Sequence, residues 1–560
     1  GEVEGEGRVF TNFPGRYGGL KGYFVARFNQ PLKSYATWSG GETVEGRAEA
    51  AGDDAGAVLN FGNAAGKPVE LMVGISFVSL ENARENLEAE AGGKRFDELR
   101  AAVRSDWDSW LSRVRIESPS AEIKTIFYTN LYHSMIMPTN FTDVNGQYLG
   151  FEEEVGTAED FTYRTDMSIW DTFRSEHPLL LLIAPEIQRD SLKSIIRMAR
   201  SSGHLPRWPS GGGEADSMFG SPADMLVAES YLKGMTDFEV EEAYDYMKVT
   251  AAAPVKDGSG GRDYITDYNA YGYVPADAAA CSVSHTLEYA WADGSIALLA
   301  DALGKTEDAA LFRARSMNYK NVFNPATKYF QGRNKDGSWT EPFSPYLTTY
   351  YDDIFGLRLS AAYEEGGARH WRWTAVQDTQ GLIDLFGRDY FVSELNQFMK
   401  DAAPNRAALN PGSGYWQGNQ HDMHAIYLFD DAGRPELTQK WVRWALTERY
   451  SGDRNGLDGN DDGGTLGSWY VFSAVGLYPA AGTDRYWLGS PIVDKAVLHL
   501  GGGKTLTVIA ENQSEKNMYV QSAVLNGVKL SAPCVLHSQI KEGGTLVVQM
   551  GSKPAAGGGY

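Results

Sequence analysis

The hydrophobic period changes twice along this chain, and that change limits the folds open to it. Up to about Val78 the apolar residues follow a period of two. The pattern is partial in Tyr23–Phe28 and clearer in Ala57–Phe61 and Val69–Phe77, with glycine-rich turns between them. From Ser120 to about Tyr478 the spacing is helical. Ile123, Ile126, Phe127, Leu131 and Met135 fall on one face, as do Leu192, Ile195, Ile196 and Ala199, and again Leu437, Trp441, Trp444 and Ala445. Leu287, Ala290 and Trp291 open another helix, which Ile296, Leu299, Ala300 and Leu303 carry to Gly304, a residue suited to a C-cap. After Pro479 the alternation returns in Ala496–Leu500, Leu506–Ala510 and Thr545–Gln549. A charged helix from about Ser79 to Leu111, broken near Gly92, joins the first two regions. The pattern predicts an α+β multidomain chain: an N-terminal β-sandwich, an α/α-barrel and a small C-terminal β-module.

With 560 residues the chain exceeds what one core takes, so two or three domains are expected. The net charge of −22 argues against nucleic acid and anionic membranes as partners. No apolar run reaches the roughly 18 residues of a membrane span, and the longest, Leu179–Ala184, reads as a buried helix segment. No secretory leader is legible from Gly1 onward. A secreted, periplasmic or cell-surface location, with a leader removed, is the expectation. Cys281 and Cys534 exclude a disulfide scaffold and a cysteine-based zinc site, and two buried free thiols are expected.

The chemistry is concentrated in loops. Gly456–Gly464 places Asp461 beside Asp462 among glycines, just before the apolar helix of Leu466, Trp469, Tyr470, Ala474 and Val475. Adjacent carboxylates repel and need a cation, a proton or solvent. An isolated loop of this kind is most often a solvated turn or helix cap, and its spacing lacks the closing Glu of an EF-hand. Four further loops carry clustered polar groups: Trp170–Arg174, Gly213–Gly220, Tyr363–Ile383 and Gly418–His424. Asp171 and Asp378 would cap helices, Arg174 would pair with a carboxylate, and His424 would be a satisfied core histidine. Glu365 is different, because it lies among His370, Trp371 and Trp373. An apolar surround raises a carboxyl pKa, as a general acid near neutrality requires. The open acidic loop should instead keep a base ionised. That contrast is what glycoside hydrolysis needs, and a chain with 14 Trp and 30 Tyr can supply rings for sugar faces.

The segment Glu365–Trp373, running on through Asp378 to Gly381–Ile383, resembles the general-acid segment of glycoside hydrolase family 92, the calcium-dependent inverting exo-α-mannosidases. Gly459–Gly463 followed by Ser468–Pro479 is similar to the base segment of that family. Trp170–Arg174 and Gly418–His424 with Tyr427–Leu428 match it as well, in the same order. The resemblance runs from about Phe24 to the C-terminus.

It implies Glu365 as general acid and Asp462 as general base, with Asp461 and Asn460 holding the attacking or calcium-bound water. It implies Ca2+ as cofactor, with Asn419 and Gln420 as ligands. The expected sugar-binding residues are Asp171, His424, Trp170, Glu214, Trp371, Asp378 and Arg369. It implies a β-sandwich over 1–90, linker helices over 91–119, an (α/α)6 catalytic barrel over 120–479, a β-module over 480–554 and a flexible tail over 555–560. The sandwich is expected to be incomplete, since the first strands fall so close to Gly1. A preceding segment or a second chain would then complete it. Mannose-containing oligosaccharides or glycoproteins are the implied partners, and N-glycan processing the implied role. Family members often have an acid where Gln420 stands and Trp where Arg369 stands. Arg369 suggests a leaving group bearing phosphate. The rival readings are a different inverting α/α-barrel hydrolase or phosphorylase, and a carbohydrate-binding protein without catalysis.

Overall fold

The computed structural model describes residues 1–10, 12–62, 66–255, 260–349, 361–555 and 559–560. They form two compact units, one of residues 1–108 with 141–162 and one of residues 109–140 with 163–560.

In the first unit Leu20–Phe28 is the centre of an antiparallel sheet, flanked by Glu2–Val9 and Leu71–Ser76. A second sheet centres on Ser34–Ser39, between Glu42–Glu45 and Gly56–Asn60. The charged helix is two helices, Leu80–Ala91 and Phe96–Leu111, separated at Gly92 as the sequence suggests. Ser79 Oγ caps the first by accepting the Asn82 N–H at 3.0 Å. Ala83 and Leu87 of that helix pack on Val25, with Tyr23, Met72 and Ala91 around them. The approach is close enough that a Cβ at Gly74 would lie 2.2 Å from the Ala83 carbonyl oxygen. The opposite side of this sheet presents Phe24, Leu71, Val73 and Ile75, all exposed. Residues 141–162 belong here because the Asp143 carboxylate accepts hydrogen bonds from Ser76, Asn82 and Asn86. Phe141 also stacks on Phe77 at 4.3 Å. The sequence pattern had placed this segment with the helices.

The second unit is helical from Ala121 to Val475 and ends in sheet. Pro185, Pro222 and Pro435 each open a helix, where a missing N–H costs nothing. The helices Glu176–Ile183 and Thr465–Val475 are buried along their whole length, which explains their continuous apolar text. The second packs against Ala121–His133 as well as against the first. The C-terminal six-stranded sheet runs in the order Val528–Lys529, Tyr519–Leu525, Gly544–Gly551, Thr505–Glu511, Lys495–His499, Val114–Glu117. Its edge strand, Val114–Glu117, comes from the stretch read as a linker, and it alternates buried and exposed residues as an edge strand should. At the chain end Tyr560 is half-buried and Gly559 buried, while residues 556–558 of the expected flexible tail lie outside the described residues. Cys281 and Cys534 form no disulfide with each other, and are half-buried rather than buried. Among the described residues no helix is long and apolar enough to cross a membrane.

Candidate active site

Two loops of the helical unit, each holding a carboxylate on left-handed backbone, form the centre of the site. Glu365 has φ 42° and Asp462 has φ 48°. Neither side chain favours that region, so neighbouring contacts must impose it.

The Asp462 loop is held from both ends. The Asp461 carbonyl accepts the N–H of Thr465 at 3.0 Å and of Leu466 at 3.2 Å, and Asp461 Oδ1 accepts the Gly467 N–H at 2.9 Å. These are the free N–H groups at the start of the buried helix, where a carboxylate is welcome. Asp461 Oδ2 lies 3.2 Å from His133 Nδ1, and this partner raises the His133 pKa. A Cβ at Gly463 would meet Ser168 Oγ at 2.7 Å, and one at Gly464 would meet Ser134 Cα at 2.7 Å. Both positions also have positive φ, so glycine is required twice over.

The Glu365 loop is fixed on each flank. The Trp371 indole N–H donates to the Glu364 carbonyl at 2.6 Å, and Asn419 Nδ2 donates to the Glu365 carbonyl at 2.6 Å. The Glu364 N–H reaches Ser284 Oγ at 3.0 Å, and Cys281 Sγ lies 3.0 Å from Glu364 Oε2. Trp371 stacks on His421 with ring centres 4.4 Å apart.

Asp171 comes from a third element, the short helix Ile169–Thr172. Arg174 anchors that helix by reaching the Trp170 carbonyl at 3.1 Å and Glu288 at 3.0 Å, with its guanidinium over the Trp170 ring at 4.8 Å. Burial raises the Asp171 pKa well above the carboxylate range, and the charges of Asp462 and Glu365 add to it. Glu365 is pushed up to about 7 by the protein around it, then by Glu364 and Asp462, against Arg174. Glu365 itself remains exposed. Asp462 is pushed up to about 6 by burial and by Asp461, against the hydrogen bond it accepts from Gln420. The acidic loop therefore raises its carboxyl too, contrary to the sequence expectation, because the loop is half-buried. The order of the two pKa values nonetheless keeps Glu365 the more readily protonated.

The charge of Asp171 lies in the field of both carboxyls, Trp371 and Asn419 hold the Glu365 loop and Gln420 donates to Asp462, while Trp170 packs its ring toward Phe219 and His421. His424 is buried, its Nε2 is 3.0 Å from the Trp373 carbonyl, and its Nδ1 has no partner. Burial lowers its pKa to about 4, so it is neutral, with Nε2–H donating and Nδ1 left to accept. Three other residues expected to bind substrate are engaged elsewhere. Glu214 accepts the N–H groups of Arg207, Trp208 and Asp216 at 2.8, 2.9 and 3.0 Å, bracing a hairpin. Asp378 caps the helix Thr379–Phe386 through the Gly381 N–H at 3.0 Å, and holds Tyr319 at 2.8 Å. Arg369 is buried against Asp401 at 2.6 Å. Sequence reasoning missed His133, Glu364 and His421. Glu364 and His421, both inside loops already singled out, left a signal that could have been used, whereas His133 left none.

Calcium is a hard cation that takes about six to eight oxygens. Asn419 Oδ1 is a buried amide oxygen without a partner, the kind of donor calcium accepts, and Gln420 stands next to it. Among the described residues no cluster of three or more His, Cys, Asp and Glu could hold a metal. Asn419 Oδ1 and the neighbouring Gln420 amide are thus of the oxygen chemistry a hard cation accepts.

A family model described as the glycosyl hydrolase family 92 catalytic domain matches residues 82–552, and the N-terminal domain model of that family matches residues 1–76. A protein of Arthroderma benhamiae named an uncharacterized secreted glycosidase is 27% identical over 539 residues, covering 90% of this chain. The chain spans 64% of the length of that relative. A family GH92 α-mannosidase of Bacteroides thetaiotaomicron superimposes with a TM-score of 0.90 at 31% identity, over 99% of this chain and 72% of its own. It has also been solved in complex with mannoimidazole. A family GH92 inverting mannosidase of the same organism gives a TM-score of 0.90 at 30% identity, over 99% of this chain and 75% of its own.

Proposed function

The chain belongs to glycosyl hydrolase family 92, and on that premise we propose that it is an exo-acting α-mannosidase that hydrolyses terminal α-mannosides with inversion. The observation that carries the reading is the pairing of Glu365, with a pKa of about 7, and Asp462, with a pKa of about 6, in one field of charge. Between those two values the order leaves Glu365 the group that keeps its proton and Asp462 the group that gives its proton up.

The Glu365 carboxyl donates its proton to the glycosidic oxygen as the bond from C1 breaks. Asp462 removes a proton from the water that attacks C1 from the opposite face, so an α-mannoside gives β-mannose. An arrangement of this type needs room for the water, with carboxyls roughly 6.5–9.5 Å apart. Asp461 is tied to the helix start and to His133, and holds the loop that aims Asp462. Asp171 and the free Nδ1 of His424 offer buried polar atoms to sugar hydroxyls.

Calcium, when bound by Asn419 and Gln420, would supply a positive charge that orients vicinal hydroxyls. Secretion, supported by the name of the Arthroderma benhamiae relative, and action on mannose-containing oligosaccharides are part of the proposal. Arg369 gives no support to a phosphate-bearing leaving group, because its charge is taken by Asp401.

Turnover of p-nitrophenyl α-mannoside tests the activity, and a panel of α-1,2, α-1,3, α-1,6 and phosphate-linked mannosides assigns the linkage. Early proton NMR should show β-mannose before mutarotation. First appearance of α-mannose would overturn inversion and the role of Asp462.

A further inference from the structure

Next to the Asp462 loop, the helical unit contains a cleft of about 710 Å3 that none of Glu365, Asp171 or Asp462 lines. Its walls are the end of the helix Ala121–His133 and the loops Arg406–Ala408 and Ser451–Gly459. Among the described residues no aromatic side chain lines it, so they offer no platform for a pyranose face. Its charged side chains are Arg406, Arg454 and His133 against the single carboxylate Asp453. An excess of cations runs against a chain of net charge −22.

Among the described residues His133 is taken up by Asp461, but the two arginines are not used up by the protein. Arg406 meets Asp453 only at 3.9 Å, and Asp453 is itself strongly exposed. Asp458, behind the wall, is held by the Ala407 N–H at 2.7 Å and by Arg449 at 3.7 Å. Arg406 Nε is buried with no hydrogen-bond partner, and so is Asn130 Oδ1 on a residue only 3% exposed. Buried polar atoms without partners are rare and point to a missing partner. A guanidinium fork matches a tetrahedral oxyanion, and an amide oxygen matches the O–H of hydrogen phosphate.

We propose that this cleft binds a phosphate-class anion, free or carried on a saccharide, and that its occupancy slows turnover by acting on the Asp462 loop. The coupling runs through His133, which lines the cleft and also holds Asp461 Oδ2 at 3.2 Å. An anion that draws the imidazole toward itself loosens Asp461, the residue before Asp462. The binding stands on the cleft alone, while the coupling rests on the reading of Asp462 as the base.

Calorimetry on the calcium-free full chain, with sodium phosphate against sodium chloride at equal ionic strength, should show one phosphate bound per chain. Sulfate, with no proton to give Asn130 Oδ1, should bind more weakly. Arg454→Ala and Arg406→Gln should each weaken phosphate by about tenfold. Arg454 is exposed, so its variant should melt as the parent does. Mannose should not displace the anion. No saturable binding, displacement by mannose, or indifference to both substitutions would overturn the site. At fixed free calcium, phosphate should lower turnover of a neutral α-mannoside in the parent and spare Arg454→Ala. Equal inhibition of both would overturn the coupling. Mannose 6-phosphate binding more tightly than inorganic phosphate assigns the anion to a saccharide, and the reverse assigns it to the free ion. A chain that binds phosphate in this way but cleaves no α-mannoside would overturn the functional reading and leave the site standing.

Discussion

The indole N–H of Trp371 lies 2.6 Å from the carbonyl oxygen of Glu364, so one tryptophan fixes the peptide that leads into Glu365. Trp371→Phe keeps an aromatic ring over His421 but removes the donor and part of a fully buried ring. We expect turnover to fall by about tenfold, with about 2–3 kcal/mol lost in stability from the hydrogen bond and the cavity together. Stopped-time assays and denaturant titration separate the two effects, and a loss confined to stability would remove the positioning role.

The pH–rate profile should be a narrow bell. Asp462 must be ionised, so kcat/KM rises as pH passes about 6. Glu365 must be protonated, so kcat/KM falls as pH passes about 7. A profile still climbing well above neutrality would contradict the acid role.

Glu365→Gln removes the proton donor. Cleavage of mannobiose should drop by about a hundred- to ten-thousand-fold, since its leaving alcohol needs a proton. Dinitrophenyl or fluoride mannosides, whose leaving groups are already acidic, should be spared. Equal losses on both substrate types would take Glu365 out of the mechanism.

Chelation should abolish activity and added calcium should restore it. Gln420→Glu should tighten calcium by adding a charged oxygen donor. It also replaces the amide that donates to Asp462 by a negative charge, which disfavours ionised Asp462. The acidic limb of the bell should therefore move to higher pH. Full activity after exhaustive chelation would rule out the metal.

Glu214→Gln and Asp378→Ala should harm the fold more than the reaction. Glu214 braces three backbone N–H groups and Asp378 caps a helix. Losses of about 1–2 kcal/mol are expected, with KM unchanged. A large rise in KM at full stability would return either residue to the substrate site.

The sequence made the elements legible wherever burial imposes a period. The helix Pro185–Ser202, which buries the face of Leu192, Ile195, Ile196 and Ala199, and the strand Leu71–Ser76 fall where the pattern put them, give or take their ends. The strand Val114–Glu117 was hidden because four residues are too short to display a period, and its partner is Lys495–His499. Loop chemistry was legible by residue type but not by direction. Asp171 and Asp378 both precede apolar helices in the sequence, yet one is buried in the field of Glu365 and the other caps its own helix. Arg369 and Asp401, and His133 and Asp461, are pairs that only the folded chain brings together.

The left-handed backbone at Glu365 and Asp462 sets durability against turnover at two codons. Glycine at either position would relieve about 1 kcal/mol of backbone strain and remove one charge from a crowded acidic field. A library of this chain sorted for heat resistance alone should therefore enrich variants that have lost these carboxylates. Selection for sugar release would have to be applied in every round to keep them.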